Sequence, residues 1–559
     1  MTEVTTMNLP RSLTYPHVGV DAAVDAAGRA YGDRIALRDG AETLTFAELA
    51  DRVRRVAGGL RERGIGTGDI VMIHLPNSIW HEVAYFGILA AGAAAAPVNP
   101  AQPPIALRQQ MADLRVTAAV TGSSCGSRLA DAGTEDLRLI VHIGPASPGL
   151  TPSHLVDFTE LLAAQPIIEK LTTPDTLAHL QLTGGTTGRS KGVRVLHRNI
   201  LAHAVQQAAW RAGHQVRIDN SEDLTLEPLA SADDFPLHPG RDVQVSTAPM
   251  FHGLAMVSLV LNILCGTTTV LFGRFQASAY LAAVEEHRAT YMTGAPAFYH
   301  ALLAAPDLES YDLSSVRLAY GGGAPMDSNT LTRLRRALPC AVVAEGYGLS
   351  EATGSLASMR LTRPSENPKG TVGTPTPDTV LQIRSEDGRT LLEPGEIGEI
   401  WARGPQITDG YHGDPQLTAK QFDGGWLRTG DLGHLDDKGF LFLAGRAKDM
   451  IIYKGYNVYP QHLEEVLADH PDVAEVSVVG TAVEGVGETP VAFVVVRAGA
   501  EHRKTLLTEL LAHVSERVAP YQRIHAVHVV DAMPLSATGK VLKAALRELL
   551  PQQINEIRS

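Results

Sequence analysis

Short apolar runs alternate with amphipathic helical runs from the first hundred residues onward, and this alternation restricts the possible folds more than any other feature. Residues 45–63 carry apolar positions at helical spacing, with Thr45 and Glu48 placed as a capping box at the start. IVMIHL from Ile70 reads as a strand, residues 78–91 return to helical spacing, and APVNP follows as a strand end. Strands that alternate with helices need crossover connections, so the expected class is α/β with a mostly parallel sheet. With 559 residues the chain exceeds what one hydrophobic core serves, so more than one domain is expected.

Two stretches break the rhythm. Residues 213–241 are polar and acidic, and the spacing predicts a long solvated surface loop, with a lid over a site as its rival. GRAKD, Gly445 to Asp449, is a short charged connector between a β-rich stretch and a final segment with its own strand and helix pattern. The boundary is therefore expected there, giving a large domain over 1–445 and a small one over 446–559. Gly253 to Phe272 is mostly apolar, but Asn262, Gly266 and the threonines from Thr267 predict a buried helix, a turn and a strand rather than a membrane span.

Composition excludes several classes. The net charge of −13 opposes nucleic acid as the main ligand, although backbone amides and a few cations can still hold small phosphates. Cys125, Cys265 and Cys340 are too widely spaced for a disulfide framework or a zinc knuckle, and no basic segment leads into an apolar core at the start. The expected compartment is the cytoplasm.

LTGGTTGRSKG, Leu182 to Gly192, carries the strongest local chemistry. Gly184, Gly185, Gly188 and Gly192 let the backbone approach an anion, Thr183, Thr186 and Thr187 supply hydroxyls, and Arg189 and Lys191 supply charge. The glycine spacing is wrong for a Walker A loop, and Gly192 follows Lys191 where that loop has Ser or Thr. Taken alone, the segment also reads as a Gly/Thr-rich turn without a ligand.

Further motifs follow in order: APMFHG (Ala248 to Gly253), YGGGAPM (Tyr320 to Met326), GYGLSEATG (Gly346 to Gly354), LRTGDLG (Leu427 to Gly433), GRAKDMIIYKGYNVYP (Gly445 to Pro460) and PLSATGK (Pro534 to Lys540). Together they resemble the adenylate-forming superfamily, which includes acyl-CoA synthetases, adenylation domains of peptide synthetases and beetle luciferases. The chain looks most like a fatty-acyl- or aryl-CoA ligase. The resemblance implies a large N-terminal domain of mixed sheets with packed helices and a small mobile α+β C-terminal domain. It also implies ATP, Mg²⁺ and coenzyme A, with a carboxylic acid activated as acyl-AMP and passed to a thiol. Transfer to a carrier-protein phosphopantetheine, or a relative that binds nucleotide without turnover, are the alternatives; a homodimer is compatible with either.

Roles carried over by the resemblance are expectations. Thr183, Gly184, Gly185, Thr186, Thr187, Gly188, Gly322, Gly323, Ala324, Gly348 and Ser350 are expected around ATP, with Tyr347 stacked on adenine and Asp431 and Arg446 at the ribose. Asp431 is read in a Gly-flanked turn, where an ordinary Asx-turn is the rival. Glu351 and Thr187 would hold Mg²⁺, and Lys540, Glu351 and Lys191 form the catalytic set. His252, Gly321 and Gly346 are expected at the acyl group, a buried satisfied histidine being the rival for His252. Lys448 is the expected hinge, with Lys454, Gly455 and Tyr456 along the pantetheine channel. Ser190 stands where the superfamily usually has proline. FHGLAMVSL lacks the aspartate that pairs with an α-amino group in amino-acid-activating relatives, so an apolar acyl or aryl pocket is expected instead.

Overall fold

The computed structural model describes residues 12–150, 152–183, 191–220, 223–229, 231, 234–361, 367–454, 456–483, 487–497, 505–536 and 540–557. The capping box appears as read: Thr45 accepts from the Glu48 amide, Glu48 reaches back to the Thr45 amide, and the helix runs Phe46–Glu62. Ser78 caps the next helix, Ile79–Ala90.

Ile70–His74 is a central strand of a seven-stranded sheet. Across that sheet the order is Leu155–Asp157, Leu139–Ile143, Ala118–Gly122, Ile70–His74, Ala94–Pro97, Leu177–Thr183, Lys191–Leu196, and all neighbours are parallel except the last pair. Val71 and Ile73 join the main core while Ile70 and Met72 join a second apolar cluster on the opposite face. Burial on both faces explains why this strand reads as an unbroken apolar run.

A nine-stranded sheet completes the main core. Its middle strands, Ile35–Asp39, Thr268–Leu271, Val243–Ser246, Tyr291–Gly294, Leu318–Gly321 and Val342–Leu349, are parallel neighbours. Gly354–Ser358 and Glu42–Thr45 pair antiparallel at either side. The helices Phe46–Glu62, Ile79–Ala90 and His197–Ala212 share one apolar cluster with strands of both sheets, which places them between the sheets. A smaller antiparallel sheet holds Val380–Arg384, Gly398–Arg403, Trp426–Leu435 and Leu441–Arg446. From Ile451 onward a further sheet is built on the hairpin Val473–Val483 with Gly487–Val496, carrying its own apolar clusters on two faces. The mixed-sheet body and smaller α+β unit are the expected fold class.

The apolar stretch from Gly253 is the helix Gly253–Leu264 followed by the strand Thr268–Leu271. Asn262 is buried and donates to Gln244 at 2.6 Å and Thr269 at 3.1 Å, which a lipid-facing position would forbid. Among the described residues no helix is long and apolar enough to cross a membrane. The 213–241 region corrects its reading as one long surface loop, because His214–Ile218 and Leu224–Pro228 form an antiparallel hairpin. Alternation in HQVRI and LTLEP marks those strands, and the acidic residues between them obscure it.

Candidate active site

The parallel strands Tyr291–Gly294 and Leu318–Gly321 end at the same level, and chain leaving such ends opens a crevice where small ligands bind. A cleft of about 950 Å³, open mouth included, lies there. Gln181, His252, Gly253, Gly322, Gly323, Gly346, Tyr347, Gly348, Ser350 and Lys540 all line it, bringing together motifs that lie far apart in the chain. Two glycines shape it. A Cβ on Gly346 would stand 2.0 Å from the Tyr320 hydroxyl, and Gly323, at φ 84°, leaves room for Lys540, whose Cε lies 4.0 Å from where a Cβ would be.

One end of the cleft is a chain of satisfied polar groups. The Tyr347 hydroxyl donates to Asp431 Oδ2 at 2.8 Å, and Arg446 Nε lies 3.2 Å from Asp431 Oδ1. Register explains the ion pair, since Asp431 and Arg446 are direct partners across antiparallel strands. Asp431 therefore stands inside the strand Trp426–Leu435 rather than in the expected turn; Gly430, at φ 71°, supplies the local kink that made it read as one. Burial pushes the Asp431 carboxyl up, and Arg446 opposes that shift. Burial also pulls the Lys540 ammonium down, helped by Arg446 and resisted by Asp431 and Glu351. His252 is held neutral, pushed down to about 4 by burial and then by Lys540, and its ring accepts from the Leu254 amide at 3.3 Å.

Glu351 is outside the cleft lining, but its charge reaches Lys540 and Asp431. Its Oε1 accepts from the Tyr411 hydroxyl at 2.6 Å, and its carbonyl accepts twice from Thr408. Lys191 Nζ stands 6.0 Å from the Tyr411 ring centroid, so one tyrosine joins the acid and the base. Thr183 ends the strand opposite Lys191, its hydroxyl 3.5 Å from the Lys191 carbonyl.

Other expected residues fall elsewhere. Gly184, Gly185, Thr186, Thr187, Gly188, Ser190 and Gly455 lie outside the described residues. Gly321 and Ala324 do not line the cleft: the side of Gly321 where a Cβ would point is filled by Met326. Arg446 and Asp431 stand behind the lining through Tyr347. Lys448 lies on a 3₁₀ turn beside Arg446, which together with burial pulls its ammonium down. Lys454 has φ 50°, and Tyr456 is 57% exposed and stacked on Tyr521 at 4.8 Å, both away from the cleft.

The cleft is also lined by residues that sequence reasoning passed over: His179, His203, Arg211, Thr293 and Tyr320. Tyr411 was passed over too. None belongs to a short motif with a chemical signature except Tyr320, which sits in one unassigned; only their unusual polarity among apolar neighbours marks the rest.

Known proteins resemble this chain along most of its length. The AMP-binding enzyme family model matches residues 24–412, and that of the AMP-binding enzyme C-terminal domain matches 462–540. The chain is 33% identical to 4-coumarate-CoA ligase 1 of Narcissus pseudonarcissus, over 93% of this chain and 91% of that one. It is 31% identical to a long-chain-fatty-acid–CoA ligase of Bacillus subtilis (strain 168), over 97% and 96%. The crystal structure of ATP-bound MatB from Rhodopseudomonas palustris superposes with a TM-score of 0.81 at 26% identity, covering 95% of this chain and 99% of that one. Matched along most of its length by the family model and by these relatives, the chain belongs to the AMP-binding enzyme family.

Proposed function

We propose that Lys540, Asp431, Arg446, Tyr347, Glu351 and Lys191 together carry out acyl-adenylate formation in this cleft. The overall reaction is that of an AMP-forming acid–thiol ligase: a carboxylic acid is activated with ATP as acyl-AMP, and the acyl group passes to coenzyme A. The observation that carries the residue assignment is the convergence of Lys540 with Gly323, Tyr347 and Ser350 on one cleft, the lysine arriving from the C-terminal end of the chain.

Asp431, held by Arg446 and Tyr347, accepts the ribose hydroxyls, and the bared backbone at Gly322 and Gly323 takes the adenine. Lys540 draws the substrate carboxylate onto the α-phosphorus; a carboxylate oxygen bonds to that phosphorus as pyrophosphate leaves. Glu351, its carboxylate oriented by Tyr411, offers the hard oxygen donor that suits Mg²⁺, which when bound offsets triphosphate charge. The coenzyme A thiol gives up its proton to solvent, the thiolate sulfur bonds to the acyl carbon, and AMP departs with the electron pair of the broken acyl–oxygen bond. Lys540 lines the cleft while Tyr456 stands away from it, so we assign the second step to a rotation of the 446–559 unit about Lys448. The names of the matched ligases support an aryl or fatty acid as the class of acid.

The test is pyrophosphate release from ATP and Mg²⁺ with a panel of carboxylic acids, with coenzyme A and with a carrier-protein thiol. Acid-dependent release and an acyl-CoA product are expected. No release with any acid overturns the adenylation reading, and acyl-AMP that accumulates unless a carrier protein is added overturns coenzyme A as acceptor.

A further inference from the structure

The helix His197–Ala212 is buried on almost every side, yet it carries His203, Gln206, Gln207 and Arg211 into the interior. Arg211 is 5% exposed and lines the cleft with His203, Ser258 and Tyr320. Its Nη1 donates to the Tyr291 hydroxyl at 2.7 Å, and its guanidinium carbon lies 4.0 Å from the Tyr320 ring centroid. Its Nε has no hydrogen-bond partner among the described residues, nor has His203 Nε2.

A guanidinium stays charged at any pH a protein tolerates, and a charge buried without a counter-ion is among the costliest things a core can hold. Even arginines that are only partly shielded from water hold carboxylates here: Arg54 holds Asp25, Arg317 holds Asp242 and Arg428 holds Glu399. Arg211 has no carboxylate partner among the described residues, and its company is the phenol groups of Tyr291 and Tyr320. Ring faces and one phenol oxygen return part of the lost hydration; a carboxylate returns more, because both partners are then charged and the planar fork matches both its oxygens. The ring of His203, held neutral at about 3 chiefly by burial, brings no rival cation. The two cations stand at different places in the cleft, Lys540 beside Gly323 and Arg211 against the Tyr320 ring and the Tyr291 hydroxyl.

We propose that Arg211 is a carboxylate-binding subsite on the wall of the acyl pocket, and that the aryl or fatty acid activated here carries a second carboxylate. One carboxylate docks unchanged on Arg211 while the other is adenylated beside Lys540. The inference rests on reading the cleft as the acyl-adenylating site.

Pyrophosphate release is measured with a series of aliphatic and aromatic dicarboxylic acids, each against its monomethyl ester, on the wild type, Arg211→Met and Arg211→Lys. For the best diacid, kcat/KM about tenfold or more above its ester is expected, with the ratio falling toward one in Arg211→Met and partly restored in Arg211→Lys. Esters or plain monocarboxylates turned over as well as every diacid overturn the proposal. Silence with every acid defeats the adenylation reading instead, and calorimetric titration of the same pairs onto the ATP-free protein then decides: tighter diacid binding that needs Arg211 supports the subsite, equal binding overturns it. Should Arg211→Met fail to fold, the wild-type ratios and Arg211→Lys carry the decision.

Discussion

The two ends of the cleft are built on opposite principles. At the Lys540 end, Asp431 bonds to Tyr347 and to Arg446, and Glu351 bonds to Tyr411, so both carboxylates are oriented before any substrate arrives. At the Arg211 end, a guanidinium nitrogen and an imidazole nitrogen are buried without partners among the described residues. A site that performs the same chemistry on every substrate gains from fixed electrostatics. A site that selects among acids gains from groups whose hydrogen bonds only the right ligand completes, since a wrong ligand leaves them unpaired.

Removing Lys540 should give the largest separation between the ends. Lys540→Ala is expected to lower acyl-AMP formation by about 10³-fold while leaving thioester formation from supplied acyl-AMP near the wild-type rate. Equal loss of both half-reactions, followed separately by rapid quench, would break the assignment of this lysine to one step. Asp431→Ala comes next, with KM for ATP raised by roughly 30-fold, about 2 kcal/mol of charge-assisted hydrogen bonding, and little change in KM for the acid. A comparable rise for the acid would mean that the two ends are not separable.

Tyr411→Phe removes only the orienting bond to Glu351, so a fall in kcat of about fivefold, near 1 kcal/mol, is expected, with a steeper dependence on Mg²⁺. The smallest effect is on pH. Lys540 acts as an ammonium and its pKa is lowered, so adenylation should be full below that value and fall as pH rises through it, at a pH under the ordinary 10.5. In Lys540→Arg any residual rate should lose that alkaline limb. His252, titrating at about 4, is neutral across pH 6 to 8 and should contribute no limb there.

Much of the Lys540 end was legible in the sequence, because its residues sit in short ordered motifs whose types match phosphate, ribose and metal chemistry. Even there, the pairing of Asp431 with Arg446 was hidden: a Gly-flanked aspartate reads as a turn, and only strand register sets it against the arginine. Tyr411 was invisible, being a lone tyrosine that gains a role from the approach of Glu351. The 213–241 hairpin was masked by acidic residues between its strands, although the alternation is present once sought.

By itself, the sequence determined the alternating α/β architecture, the capping of its early helices, the burial of the Gly253 helix and the nucleotide chemistry. Those depend on periodicity, on turn residues and on local motifs, all of which are short-range. Only the tertiary structure decided that Lys540 enters the cleft, that Asp431 is clamped from two sides and that Arg211 has no counter-ion among the described residues. Net charge pairing and burial are properties of neighbours in space. Along the helix His197–Ala212, buried on almost every side, no amphipathic stripe exists to announce which polar side chain lines the cleft.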